Sequence, residues 1–153
     1  MPAQRLKTFL DQQRVKYITL KHSPAYTAQE IAAAAHVSGR ELAKTVVVWL
    51  DGRLALAVVP ANRNVVLEDL RIAAGVQQVR RATEEEFQQH FPDCEPGAMP
   101  PFGHLYDMAV YAAETMAEDA RIAFNAGTHS ELIQMDWADF ERLANPKVAP
   151  FST

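Results

Sequence analysis

Lys44-Thr45-Val46-Val47-Val48-Trp49-Leu50 is the segment that most restricts what this chain can fold into. Its β-branched and aromatic side chains suit a pleated surface and disfavour a helix. Asp51-Gly52 follows, a pair matched to a two-residue hairpin turn whose central positions need positive φ. Arg53 to Val59 then returns as the partner strand, and its near-continuous apolar run predicts an inner strand covered on both faces. Pro60 stops that strand, because proline has no N–H to give to a ladder.

The flanking sequence alternates helical and extended signals. Leu6, Phe9 and Leu10 fall on one face of a helix covering roughly residues 3–13. Val15 to Leu20 reads as a strand ended by His22-Ser23-Pro24. Thr27 and Glu30 have capping-box spacing before the alanine-rich run Ile31 to Ala35, and Ser38-Gly39 breaks that helix. Leu67 to Ala74 reads as a helix ending at Gly75. Val76 and Val79 belong to a short strand or loop. Thr83 and Glu86 repeat the capping box before a helix that ends near Phe91-Pro92. Met108 to Ala112 and Arg121 to Asn125 are strands; Gly127 turns the chain and Ser130 to Met135 pairs back. Asp136 caps a last helix through Leu143, closed by Asn145-Pro146. Helices interspersed with hairpin-connected strands predict an α+β fold. The expectation is a single compact domain over residues 1–153, with a mixed, largely antiparallel sheet and surrounding helices.

Composition narrows the functional classes. The chain has 153 residues, 48% of them hydrophobic, enough for a sizeable core. No apolar run approaches a membrane span. The N-terminus leads into an amphipathic helix and not an apolar signal segment, so the expected location is cytoplasmic. Cys94 is the one cysteine, which rules out an intrachain disulfide and a multi-cysteine zinc site. A formal net charge of -4 argues against a general nucleic-acid coat. Residues 1–81 carry twelve Lys and Arg against six Asp and Glu, and residues 82–153 carry three against thirteen. A polyanionic ligand would be drawn to one face if those halves stayed apart in space.

Three places in the sequence offer chemistry. Gly97-Ala98-Met99-Pro100-Pro101-Phe102-Gly103 packs two glycines and two prolines into a stretch with no regular periodicity. Glycine permits positive φ and close backbone approach, and proline stiffens what surrounds it. Such a loop can hold a polar ligand on its N–H groups, or be a bare rigid turn. Lys44 opens an apolar strand, where an ammonium group either reaches a cleft as a compact point charge or snorkels along the sheet. His129 lies in the polar turn Asn125-Ala126-Gly127-Thr128-His129-Ser130, and His22 at a strand exit; each also reads as an ordinary boundary histidine. None of the five histidines has metal-helix spacing, so no metal or other cofactor is expected. Asp93 and Glu95 flank Cys94 and oppose a thiolate. No nucleophile elbow, P-loop or dinucleotide fingerprint is present. Trp49 and Trp137 read as core and helix contacts.

In order along the chain stand His22-Ser23-Pro24 with Thr27-Ala28-Gln29-Glu30 behind it, Lys44-Thr45-Val46-Val47-Val48, Gly97-Ala98-Met99-Pro100-Pro101-Phe102, and Gly127-Thr128-His129-Ser130-Glu131-Leu132-Ile133. Together these resemble the YbaK-like aminoacyl-tRNA deacylases, also found as the editing domain inserted in bacterial prolyl-tRNA synthetases. The resemblance implies a compact α+β fold and hydrolysis of the ester joining a wrong amino acid to the terminal adenosine of tRNA. It implies catalytic roles for Lys44 and Gly97. It also implies substrate contacts from His22, Thr45, Ala98, Met99, Pro100, Pro101, Gly127 and His129. The implied partner is the CCA end of an aminoacyl-tRNA, with an aminoacyl-tRNA synthetase as a second one. The family often places an acidic residue after an apolar strand; here Ala113-Glu114 follows Val110-Tyr111-Ala112, a departure in that detail. A binding module without turnover and a small-molecule ester hydrolase are the alternatives.

Overall fold

The valine-rich hairpin forms the middle of the molecule in the computed structural model, which describes residues 4–25 and 27–153. Strand β2 (Ala43–Leu50) and strand β3 (Arg53–Pro60) pair antiparallel from Ala43↔Pro60 to Leu50↔Arg53. Asp51 and Gly52 turn between them with φ of 48° and 83°, the doubly positive pattern of a type I′ turn. The Asp51 carboxylate also accepts the backbone N–H of Gln78 at 2.8 Å. From Ala55 to Pro60 every residue of β3 is buried, as its apolar run predicts.

The elements in chain order are α1 (Gln4–Gln12), β1 (Tyr17–Lys21), α2 (Ala28–Ala35), β2, β3, α3 (Leu67–Ala74), β4 (Val79–Arg81), α4 (Glu84–Phe87), β5 (Ala109–Ala113), β6 (Arg121–Asn125), β7 (Glu131–Asp136), α5 (Trp137–Ala144) and β8 (Lys147–Ala149). The expected start of the first helix at residue 3 lies outside the described residues. Strands β4-β2-β3-β5-β8 make one sheet and β1-β7-β6 a second. The β3–β5 and β5–β8 pairs are parallel and the other four are antiparallel. The fold is therefore α+β with mixed, largely antiparallel pairing. The two sheets meet at a parallel bridge between Leu42 and Ala123, where the Ala123 N–H donates to the Glu41 carbonyl at 3.0 Å.

Both capping boxes form: Thr27 with Glu30 starts α2, and Thr83 with Glu86 starts α4. Three ends differ from expectation. Helix α4 stops at Phe87 and gives way to a 3₁₀ turn over Gln88–His90, short of Phe91-Pro92. Helix α2 stops at His36, which takes the left-handed conformation at φ 56°, before Ser38-Gly39 is reached. Asp136 stands at the N-cap of α5, but its side chain makes no capping bond. The main core lies between the five-stranded sheet, the inner face of the second sheet and α5. Phe102 packs edge-on against Phe124 at 5.6 Å and Phe140 at 5.3 Å between ring centres, a favoured aromatic geometry. A smaller cluster of Ala25, Ile31, Leu42, Ala61, Ala123 and Leu132 fixes α2 to the outer side of the sheet junction. The basic and acidic halves interleave in space. Arg5–Asp93, Lys7–Glu131, Arg40–Asp119 and Arg80–Glu86 each join a cation of residues 1–81 to an acid of residues 82–153.

Candidate functional site

Three loops distant in sequence are laced together by backbone hydrogen bonds. Ala98 N–H donates to the Glu95 carbonyl at 3.0 Å, folding the chain tightly through Gly97, whose φ is +82°. Gly127 N–H donates to the Ala98 carbonyl at 3.0 Å, and Glu95 N–H donates to the Gly127 carbonyl at 2.8 Å. The Glu95 carboxylate accepts the His129 N–H at 2.7 Å. The His129 Nε2 lies 2.6 Å from the Pro96 carbonyl oxygen. A carbonyl can only accept, so the proton sits on Nε2. The strand exit after β1 joins through His22 N–H to the Ser130 carbonyl at 3.0 Å and Ala25 N–H to the His129 carbonyl at 3.1 Å. His22, Gly97, Ala98, Gly127 and His129 are thus brought into one cluster.

Within it Gly97 is exposed, whereas Ala98, Met99, Pro100 and Pro101 are buried and anchor the loop to the core. A Cβ built on Gly97 meets only His129 Cε1, at 3.6 Å. The backbone of Gly97 therefore faces open space bounded by the His129 ring. Gly103, at the other end of the loop, is glycine for a different reason. A Cβ there would lie 2.2 Å from the Met108 carbonyl oxygen and 2.7 Å from Val110 Cγ2.

Lys44 and Thr45 sit half-buried at the start of β2, on opposite sides of the strand by its alternation. The Lys44 ammonium donates to Asn64 Oδ1 at 3.4 Å. Among the described residues it forms no ion pair with a carboxylate. Burial holds its pKa below the ordinary lysine value, and the positive charge of Arg81 lowers it further. These contacts of Lys44 run to the 60–64 loop and to β4, not to the Gly97 loop.

The link between the two regions is the sheet junction. Past the Leu42–Ala123 bridge, β2 continues into one sheet and β6 into the other. Lys44 and Asn125 each stand two residues beyond the bridge, one on either side of the split. Asn125 Oδ1 is buried and has no hydrogen-bond partner among the described residues. Two residues further on, Gly127 enters the cluster with Ala98. Lys44 and Asn125 thus follow the bridge on separate strands, with the Gly97 cluster beyond the end of β6. Asn64, Glu95 and Asn125 were not legible as site residues. Asn125 and Glu95 lie beside motif residues, a weak signal; Asn64 carries none.

Cys94 is buried 3.4 Å from the Tyr106 hydroxyl, and burial pushes its thiol up to about 11, so it is protonated and inert at neutral pH. Among the described residues no three His, Cys, Asp or Glu side chains are grouped to hold a metal ion, and no helix is long and apolar enough to cross a membrane.

The chain belongs to the aminoacyl-tRNA editing domain family, whose sequence pattern matches residues 22–143. Solved structures share the fold. A hypothetical protein, APE2540, superimposes with a TM-score of 0.88 at 19% identity, over 98% of this chain and 100% of its own. A candidate trans-editing enzyme for prolyl tRNA synthetase superimposes with a TM-score of 0.84 at 22% identity, over 99% of this chain and 97% of its own. A candidate signal transduction protein from Marinobacter aquaeolei contains the same fold within a longer chain, with a TM-score of 0.76 at 15% identity, over 97% of this chain and 30% of its own. No curated protein matches the chain.

Proposed function

We propose that this protein, acting as one unit over its whole length, hydrolyses the ester of mischarged aminoacyl-tRNA in trans. The observation that carries the reading is the closure of the Gly97 turn onto Gly127 and His129 in a member of the editing-domain family. That closure fixes a glycine at positive φ with its backbone facing open space. A preorganised backbone of this kind suits an ester carbonyl that gains negative charge as water attacks. Glycine leaves room for the aminoacyl group to approach, and the buried prolines keep the loop from relaxing. Lys44 supplies positive charge from across the sheet junction and binds the substrate end. Its half-buried ammonium, held among the described residues by one long bond to Asn64, is ready to exchange that partner for substrate oxygen. Asn125 Oδ1 is an acceptor suited to the substrate's α-ammonium or a ribose hydroxyl. His22, Thr45 and His129 shape the surroundings. Water is oriented between these groups, and no protein nucleophile is used.

The test is a deacylation panel with purified protein and tRNAs mischarged with alanine, serine, threonine, cysteine and proline. Release of amino acid from at least one, well above the uncatalysed rate, is expected. Tight binding of an aminoacyl-adenosine mimic with no release from any tRNA would instead identify a module without turnover. Faster turnover of small esters than of charged tRNA would identify a small-molecule hydrolase.

A further inference from the structure

Beside the sheet junction lies a polar recess of about 280 Å³, lined by Arg40, Pro60, Asn62, Arg63, Thr115 and Glu118. Three observations set it apart. Arg63 is a half-buried guanidinium that forms no ion pair with a carboxylate among the described residues. Among the described residues its guanidinium hydrogen bonds go to the Ser152 carbonyl and hydroxyl alone, and they are long at 3.4 and 3.5 Å. Among the described residues Thr115 Oγ1 is buried without a partner, and a buried hydroxyl left unsatisfied is costly. And the recess borders the Lys44 region through one short loop. Pro60 pairs with Ala43, Ala61 N–H donates to the Leu42 carbonyl at 2.8 Å, and Asn64 accepts from Lys44. The 60–64 loop therefore presents Asn64 to Lys44, and Asn62 and Arg63 to the recess.

We propose that this recess binds a backbone phosphate of the tRNA 3′ strand, adjacent to the nucleoside whose ester is cut; the assignment rests on the deacylase reading for the strand's identity. A guanidinium, an amide and a hydroxyl are the groups that hold phosphate oxygens. Arg63 carries the charge. Thr115 Oγ1 and Asn62 donate to the remaining oxygens, and Arg40 stands at the edge. Asp119 binds Arg40 at 3.2 Å and neutralises much of it. Glu118 lines the recess as an exposed carboxylate, which tempers phosphate affinity. The terminal adenosine then enters the junction, and the phosphate fixes how far the strand penetrates.

The experiment compares two substrates, aminoacyl-tRNA and 3′-aminoacyl-adenosine, which has no phosphate. Arg63→Ala is expected to raise KM about tenfold for the tRNA and to leave hydrolysis of the adenosine ester unchanged. Its log–log salt slope for tRNA should shrink by about 0.7, one phosphate of a single strand. Glu118→Gln should lower KM for the tRNA alone. Equal effects on both substrates, or no effect on either, overturn the phosphate site. If Arg63→Ala melts early, Arg63→Gln carries the same test. If the wild-type protein cleaves neither substrate, the deacylase reading fails. Binding of uncharged tRNA, compared between wild type and Arg63→Ala across salt concentrations, then decides the recess by itself: an unchanged slope refutes it.

Discussion

Gly97 and Gly103 bound the same loop, yet replacing each with alanine should fail in opposite ways. At Gly97 the added methyl has space: its one neighbour, His129 Cε1, is at ordinary contact distance of 3.6 Å. The cost is the backbone, held at φ +82°, where an L-residue loses about 1–2 kcal/mol. For a domain of this length that lowers Tm by about 2–8 °C. The methyl, however, stands in the space where the ester carbonyl must approach, and a displacement of about 1 Å costs on the order of a hundredfold in rate. At Gly103 the methyl would fall 2.2 Å from a backbone oxygen of Met108, so β5 or the loop must shift. Overpacking of that kind costs about 3 kcal/mol, a Tm fall of about 6–12 °C. The assay is deacylation per folded molecule on the best tRNA of the panel, with thermal unfolding alongside. Gly97→Ala should lose turnover in a folded protein; Gly103→Ala should lose stability and keep turnover. Near-wild-type turnover in folded Gly97→Ala refutes the placement of the ester at this turn. Equal losses in both variants would reduce Gly97 to a turn former.

Lys44→Ala should cut deacylation sharply with the fold intact. Because Lys44 has a folded-state pKa below its unfolded value, its charge destabilises the folded state at neutral pH. Lys44→Met should therefore melt no lower than wild type at pH 7. The wild type should regain ground as pH rises through the folded pKa towards the unfolded one, checked by Tm against pH. Turnover should decline over the same rise, as the ammonium loses its proton, and a turnover flat to pH 10.5 would remove the charge from the mechanism. Cys94, with its thiol at about 11, should resist alkylation at pH 8 in the folded protein and react once unfolded, followed by mass spectrometry.

The elements that local rules govern were legible. Asp51-Gly52, Gly75 and the two capping boxes each act within a few residues, and each forms as read. The miss at α2 has a local cause too: His36 takes the left-handed cap itself, a conformation uncommon outside glycine but one in which histidine is enriched. Strand β8 was invisible because three residues, Lys147–Ala149, carry too little periodicity to register. The division into two sheets was also beyond reach. It depends on one bridge between Leu42 and Ala123, and nothing near either residue announces it.

That bridge bears on function more than any motif does. The Gly97, Gly127 and His129 segments find one another through backbone hydrogen bonds at the end of β6, and their family order made that meeting an expectation. Lys44 has no such tie. Lys44 and Asn125 each stand two residues past the parallel Leu42–Ala123 bridge, on strands that belong to different sheets. Among the described residues Asn125 Oδ1 has no hydrogen bond and Lys44 has a long one. A buried acceptor without a partner is costly, and folding gains nothing by keeping it. A substrate carrying an ammonium, hydroxyls and ester oxygens supplies what both groups lack. Four ion pairs join the basic and acidic halves, so the halves do not form separate charged faces. Attraction for an anionic strand must then come from cations that no carboxylate holds among the described residues, and Arg63 on the 60–64 loop and Lys44 beside it are two of these.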